Sequence, residues 1–369
     1  MAAVLLAVAA AVASTRLLLP GASNGPTPVD PTPSVRFILP SSSNQYRQAG
    51  IPVISPDGKR VVFPATSLED NKRRLWVREL DEFGARPLSQ TDQLLHEFPQ
   101  TFWCEDSQRL AYHADGKLWS IGLDETGREI VASIPDNFGA TWNREGVIIL
   151  APGTGGLVRI PASGGKPELI TRPDPGISEV GHVEPHFLPD GNRFLFRGLA
   201  YDPAVELTRR HLYAGRLDSP EITIVTPMNS SVWFVEPGTL VYVEGGSIKA
   251  APFDASELRL TGKARSVTDR VSYFQPSGMS TLSVARNGNL VFTSPMTDEE
   301  LVWVEGSGMR LPAIAGSHSF LEVVPDPDTA NFRLSPDGKR VVGGVSDLRT
   351  GLADIWLFDL ERKTQRRLT

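Results

Sequence analysis

Six histidines, His96, His113, His182, His186, His211 and His318, are the residues of this chain best suited to proton transfer or metal ligation near neutral pH. Only His182 and His186 are close neighbours, in the stretch GHVEPHF with Glu184 between them. Residues two apart on a strand share a face, so 182, 184 and 186 would point together as a candidate binding set at a channel mouth. A metal is not expected there: Pro185 interrupts regular pairing, and no distant third ligand is apparent. Two further stretches invite chemistry and fail on inspection. Asp326 and Asp328, in PDPD, lack the spacing of a calcium loop, since calcium takes about six to eight oxygens. GTGG (153–156) and SGGK (163–166) sit in hairpin turns with no helix behind them, unlike a phosphate cradle. No G-x-S-x-G elbow occurs. No catalytic residue and no cofactor are therefore expected. The single cysteine, Cys104, excludes an internal disulfide and, beside Trp103 on a strand, is expected to be buried and inert.

The elements that must position these residues are announced by repetition. SPDGKRVV stands at 55–62 and again, unchanged, at 335–342. Between them lie CEDSQRLAY (104–112), NREGVIIL (143–150), LPDGNRFLF (188–196), VEPGTLVYV (235–243) and ARNGNLVFT (285–293). The turn position of Gly58 recurs as Ser107, Gly146, Gly191, Gly238, Gly288 and Gly338, in steps of about 45 residues. Proline presets the turn, aspartate caps it and glycine takes the left-handed position, with an apolar strand behind. A third strand follows each hairpin, as in LWVREL (75–80) or ELVWVEG (300–306), then a short fourth. Trp76, Trp119, Trp303 and Trp356 recur in third strands, where blade-to-blade packing is expected. Four strands per unit, seven times over, predict an all-β chain: a β-propeller of about seven four-stranded blades. VRFILP (35–40) is a spare strand that would pair with the last blade or elsewhere.

Ahead of the repeats, residues 1–19 are apolar and resemble a signal peptide or a membrane anchor, so a short N-terminal helix is expected. Residues 20–50 form a Pro-rich linker with a leading strand, and 51–369 the propeller. With 37 basic and 43 acidic residues interleaved, net charge −6, nucleic acid is not an expected partner.

The Ser-Pro-Asp-Gly turns, each followed by a strand and then an L/I-W/Y strand, resemble the WD-like repeats of the TolB family over 51–369. Residues 141–196 are similar to the extracytoplasmic C-terminal propeller of bacterial membrane-anchored Ser/Thr protein kinases. That resemblance implies a kinase, one membrane helix and a Pro-rich linker upstream of the propeller. No Gly-rich loop, H-R-D or D-F-G with its catalytic context is present, so a kinase domain would lie outside this sequence. The expectation is a non-catalytic, extracytoplasmic module, anchored or secreted, binding protein, peptide or glycan. The alternative is a propeller glycoside hydrolase or lyase, for which carboxylates converging at the channel mouth would speak.

Overall fold

The recurring turn closes a hairpin in every unit. A computed structural model describes residues 3–6, 11–16, 36–40, 42–47, 49–92, 101–200, 210–269, 271–274, 278–293, 301–304, 310–313, 332–346, 353–362 and 364–369. Six of the seven turn positions adopt φ between +60° and +84°, the region that disfavours a Cβ. The fifth, Gly238, follows a cis Glu236–Pro237 bond instead. In the first turn Ser55 Oγ donates to Asp57 Oδ1 at 2.5 Å, and the amide of Arg60 donates to Ser55 Oγ at 3.0 Å. The seventh turn repeats both bonds, at 2.5 and 2.9 Å, through Ser335, Asp337 and Arg340.

Each hairpin starts a four-stranded antiparallel sheet. Blade one is Val53–Ile54, Arg60–Ser67, Arg73–Glu79 and Arg86–Pro87, with Tyr46–Arg47 pairing further along its second strand. Blade two is Phe102–Trp103, Arg109–Ala114, Lys117–Gly122 and Glu129–Ser133. Blade three is Ala140–Trp142, Val147–Leu150, Val158–Pro161 and Glu168–Leu169. Blade four is Gly181–Phe187, Arg193–Leu199, His211–Arg216 and Ser219–Pro227. Blade five is Val232–Val235, Thr239–Glu244, Ser247–Asp254 and Arg265–Asp269.

Blade six breaks the rule of sequence order. Leu282–Val284 and Asn289–Thr293 are completed by Ala11–Arg16 and then Arg36–Pro40, from the opposite end of the chain. The third strand expected over 300–306 forms, as Leu301–Val304, but pairs with Ala3–Leu6 and Arg310–Ala313. The expected N-terminal helix is thereby corrected, because residues 3–6 and 11–16 are strands. Its physical reason lies in the entry point of the chain. The N-terminal chain leads into blade one, which neighbours blade six, so its strands reach the open edge of blade six and satisfy the backbone groups there. Among the described residues the helical elements are two single 3-10 turns, Ser89–Thr91 and Pro175–Ile177, and no helix is long and apolar enough to cross a membrane. The Pro-rich stretch 20–34 and the PDPD segment lie outside the described residues.

Six apolar clusters mark six blade interfaces. Val62, Leu75 and Leu88 of blade one meet Trp103 and Tyr112 of blade two. Equivalent clusters join blades two and three, three and four, four and five, and five and six. The sixth joins Ala285 and Val291 of blade six to Ile54, Val61 and Trp76 of blade one. Polar contacts reinforce that last seam. Arg286 N donates to Pro56 O at 3.1 Å, Asn287 Nδ2 to Asp57 O at 3.1 Å and Asn289 Nδ2 to Gly58 O at 2.9 Å. The ring is closed with six blades. The seventh unit (Phe332–Leu334, Arg340–Ser346, Ala353–Asp359, Thr364–Arg367) forms as a four-stranded sheet, and among the described residues its ladders are all internal.

Candidate functional site: the central channel

The innermost strands of all six blades surround one cavity of about 300 Å³. Its wall is mixed: Phe138, Trp233 and Met279 stand beside Thr101, Thr141, Ser280 and two sets of charged groups.

One set lies on blade four. There the predicted common face of 182, 184 and 186 is broken by a bulge. Val183 opposes Arg197 and His186 opposes Leu195, so Glu184 and Pro185 share the single partner position between them, and Glu184 takes φ +54°. A bulge re-aims side chains. Glu184, Pro185 and His186 line the channel, while His182 turns into the blade. Its Nδ1 lies 2.8 Å from Thr171 Oγ1, its Nε2 3.5 Å from Glu179 Oε2 and its ring 4.7 Å from that of Phe196. His182 is thus a core residue, tied to a buried carboxylate.

Glu184 Oε2 accepts from Arg197 Nε at 3.1 Å and Nη2 at 2.8 Å. Arg197, only 2% exposed, also points Nη1 towards Asn229 Oδ1 at 3.5 Å. His186 accepts the amide of Phe234 on its Nε2 at 3.1 Å. Burial, seconded by the charge of Arg286, pulls its pKa down to about 4, so it is neutral near pH 7.

The second set gathers where hairpin turns of blades two, three, five and six approach one another. Arg286 of blade six sends Nε to Glu105 of blade two at 2.5 Å and Nη1 to Glu236 of blade five at 3.4 Å. Arg144 of blade three approaches Glu105 at 3.9 Å. Burial raises the Glu105 pKa despite the Arg286 guanidinium. Two carboxylates therefore converge on one cation; Glu105 and Arg286 belong to the channel lining, and Glu236 reaches Arg286 from a more exposed turn. Two polar atoms of lining residues, Trp142 Nε1 and Ser280 Oγ, have no protein partner among the described residues.

Among the described residues no group of three or more His, Cys, Asp or Glu is placed to hold a metal. Cys104 is buried, and burial pushes its thiol up to about 11. Of the three residues expected at a channel mouth, Glu184 and His186 lie in the channel wall and His182 lies inside the blade. Arg197 left a signal, a cation inside the apolar run RFLFRGL. Glu105, Glu236 and Arg286 left none, since they lie in turns whose juxtaposition only ring closure creates.

No protein-family model matches the sequence, and no curated protein matches it. Solved structures do. A chain of a nidogen/laminin complex is 8% identical over 78% of this chain and 98% of that one, with a TM-score of 0.49. Oligogalacturonate lyase from Vibrio parahaemolyticus is 14% identical, covering 90% and 95%, with a TM-score of 0.48. TolB from Acinetobacter baumannii is 14% identical, covering 84% and 76%, with a TM-score of 0.37. At such identities a likeness concerns the fold alone, and the propeller architecture stands on its six sheets and their closure.

Proposed function

We propose that this propeller is a non-catalytic binding module that takes a protein segment, peptide or glycan into its central channel. One observation carries the reading. The charged groups of the wall are engaged with one another or with backbone, while Trp233 and Met279 bring apolar area to the channel lining. A binding wall of this kind combines apolar area with a few polar groups that fix orientation. The apolar N-terminus and Pro-rich linker support a place outside the cytoplasm, as the sensor part of a membrane-anchored Ser/Thr kinase or as a TolB-like envelope protein. In a membrane, residues 1–19 would no longer complete blade six. The test is an array of immobilised peptides and oligosaccharides probed with the full chain and with Trp233→Ala and Met279→Ala. Channel ligands lose about 10-fold or more in affinity in both variants. Hits that bind the variants equally, or no hits at all, contradict the reading.

The convergence of Glu105 and Glu236 on Arg286 favours a second reading, a glycoside hydrolase or lyase working at this wall. Release of reducing ends or unsaturated products from a polysaccharide panel, abolished in Glu105→Gln and Glu236→Gln, would carry it. Product formation unchanged by both substitutions removes it.

A further inference from the structure

The second position of the repeated turn falls into a pattern once the ring closes with six blades. From blade one to blade six it is Pro56, Glu105, Arg144, Pro189, Glu236 and Arg286, so proline, glutamate and arginine recur twice around the ring. The apolar clusters join the blades in numerical order and blade six to blade one. Blade three therefore stands opposite blade six, and blade two opposite blade five. That places Arg144 opposite Arg286, and Glu105 opposite Glu236, at the turn-side end of the channel.

The two glutamates hold matched positions and differ in state. Glu105 is drawn inward, its side chain 11% exposed, with Arg286 Nε at 2.5 Å and Arg144 Nη2 at 3.9 Å. Glu236 stays outward, 53% exposed, and meets Arg286 Nη1 at 3.4 Å. One carboxylate thus lies within reach of two guanidiniums from opposite blades. Blade one separates blades two and six, so the Glu105–Arg286 pair is not part of a blade-to-blade seam. Burial raises the Glu105 pKa despite both arginines, which makes this a costly place for its charge. Arg286 is the fixed member. Its backbone N donates to Pro56 O at 3.1 Å, and its O accepts from Glu236 N at 3.3 Å.

We propose that Glu105 occupies a carboxylate-binding site of its own chain, and that the ligand is an acidic peptide whose glutamate or aspartate displaces it. Glu105 then takes the outward position that Glu236 shows. Guanidiniums suit the exchange, since their forked donors match a carboxylate. The glutamate now in place reaches in from a chain turn, which is the geometry of a peptide side chain rather than of a sugar ring. Trp233 and Met279 of the channel lining meet the rest of the peptide. This ligand assignment rests on the binding reading above and adds to it the ligand's charge and a built-in competitor.

The test uses arrays of short peptides with one glutamate, matched arrays with glutamine or lysine in its place, and oligouronates alongside, all probed with the full chain. Glutamate hits are expected to lose about 10-fold or more on the change to glutamine. Glu105→Gln removes the competitor and tightens them about 10-fold, because the binding-competent fraction rises. Arg286→Gln abolishes them. Arg144→Gln, at a position 71% exposed, weakens them with the urea midpoint unchanged. Hits that weaken in Glu105→Gln as they do in Arg286→Gln would mark a purely structural ion pair and overturn the proposal. Equal binding of glutamate and glutamine peptides, or binding confined to lysine peptides or oligouronates, also overturns it. If Trp233→Ala still weakens those hits, the channel reading survives; hits indifferent to Trp233 as well remove both.

Discussion

His182 and His186 stand four residues apart on one strand and do opposite jobs, because the bulge at Glu184 turns one into the blade and the other into the channel. The sequence shows both histidines and Pro185 but not the bulge, which depends on how the strand meets Arg193–Leu199. A pH dependence follows for His186. Unfolded, imidazole takes its proton near pH 6.5; folded, His186 resists down to about 4. Between these values the unfolded chain binds more protons. Stability is therefore full above roughly pH 6.5 and falls towards pH 4, by at most about 1.4 kcal/mol per unit. His186→Gln keeps an acceptor for the Phe234 amide without titrating, so urea midpoints of the variant decline less across that window. An identical decline contradicts the assignment. Gly198 makes a second case. A Cβ there would lie 2.1 Å from Glu179 Oε1, which Tyr213 Oη holds at 2.6 Å. Burial alone would raise the Glu179 pKa, but hydrogen bonds from His182, Tyr213 and the Asp174 amide more than offset it and hold the pKa below its usual value. The carboxylate cannot retreat cheaply, so Gly198→Ala costs about 2–3 kcal/mol. A loss under about 0.5 kcal/mol in urea unfolding would show that the network gives way.

At the scale of the element, turns and hairpins were legible because their chemistry is local. Proline, aspartate and glycine dictate the turn, and an alternating or apolar run dictates the strand behind it. Strand partnership was not legible, since Ala11–Arg16 and Leu301–Val304 both offer one edge what it needs, and composition does not choose between them. Identical turns in different surroundings allow a controlled comparison. An added Cβ at Gly58 would meet Asn287 at 2.5 Å, whereas at Gly338 no described residue lies within 4 Å. Both Ala substitutions carry the left-handed penalty of about 1–2 kcal/mol. Gly58→Ala adds a clash at the seam with blade six, so it costs about 1–2 kcal/mol more than Gly338→Ala. Equal costs would mean that the two turns have equivalent neighbours.

Over the whole molecule, the repeat arithmetic anticipated a propeller of repeated units, and all but the sixth form a sheet from their own successive strands. It did not anticipate that the ring closes with six. One blade cannot bury both faces of its small sheet, so closure decides which apolar side chains leave water. That decision rests on contacts between residues far apart in sequence, such as Asn287 with Asp57, 230 positions apart. The most direct measurement is hydrogen exchange of the intact chain, comparing two strands that start alike, Arg60–Ser67 and Arg340–Ser346. Ring closure at six blades predicts that the first exchanges slowly, with the core, and the second orders of magnitude faster. Equal, deep protection of both would contradict it, because it would place the seventh unit inside the ring.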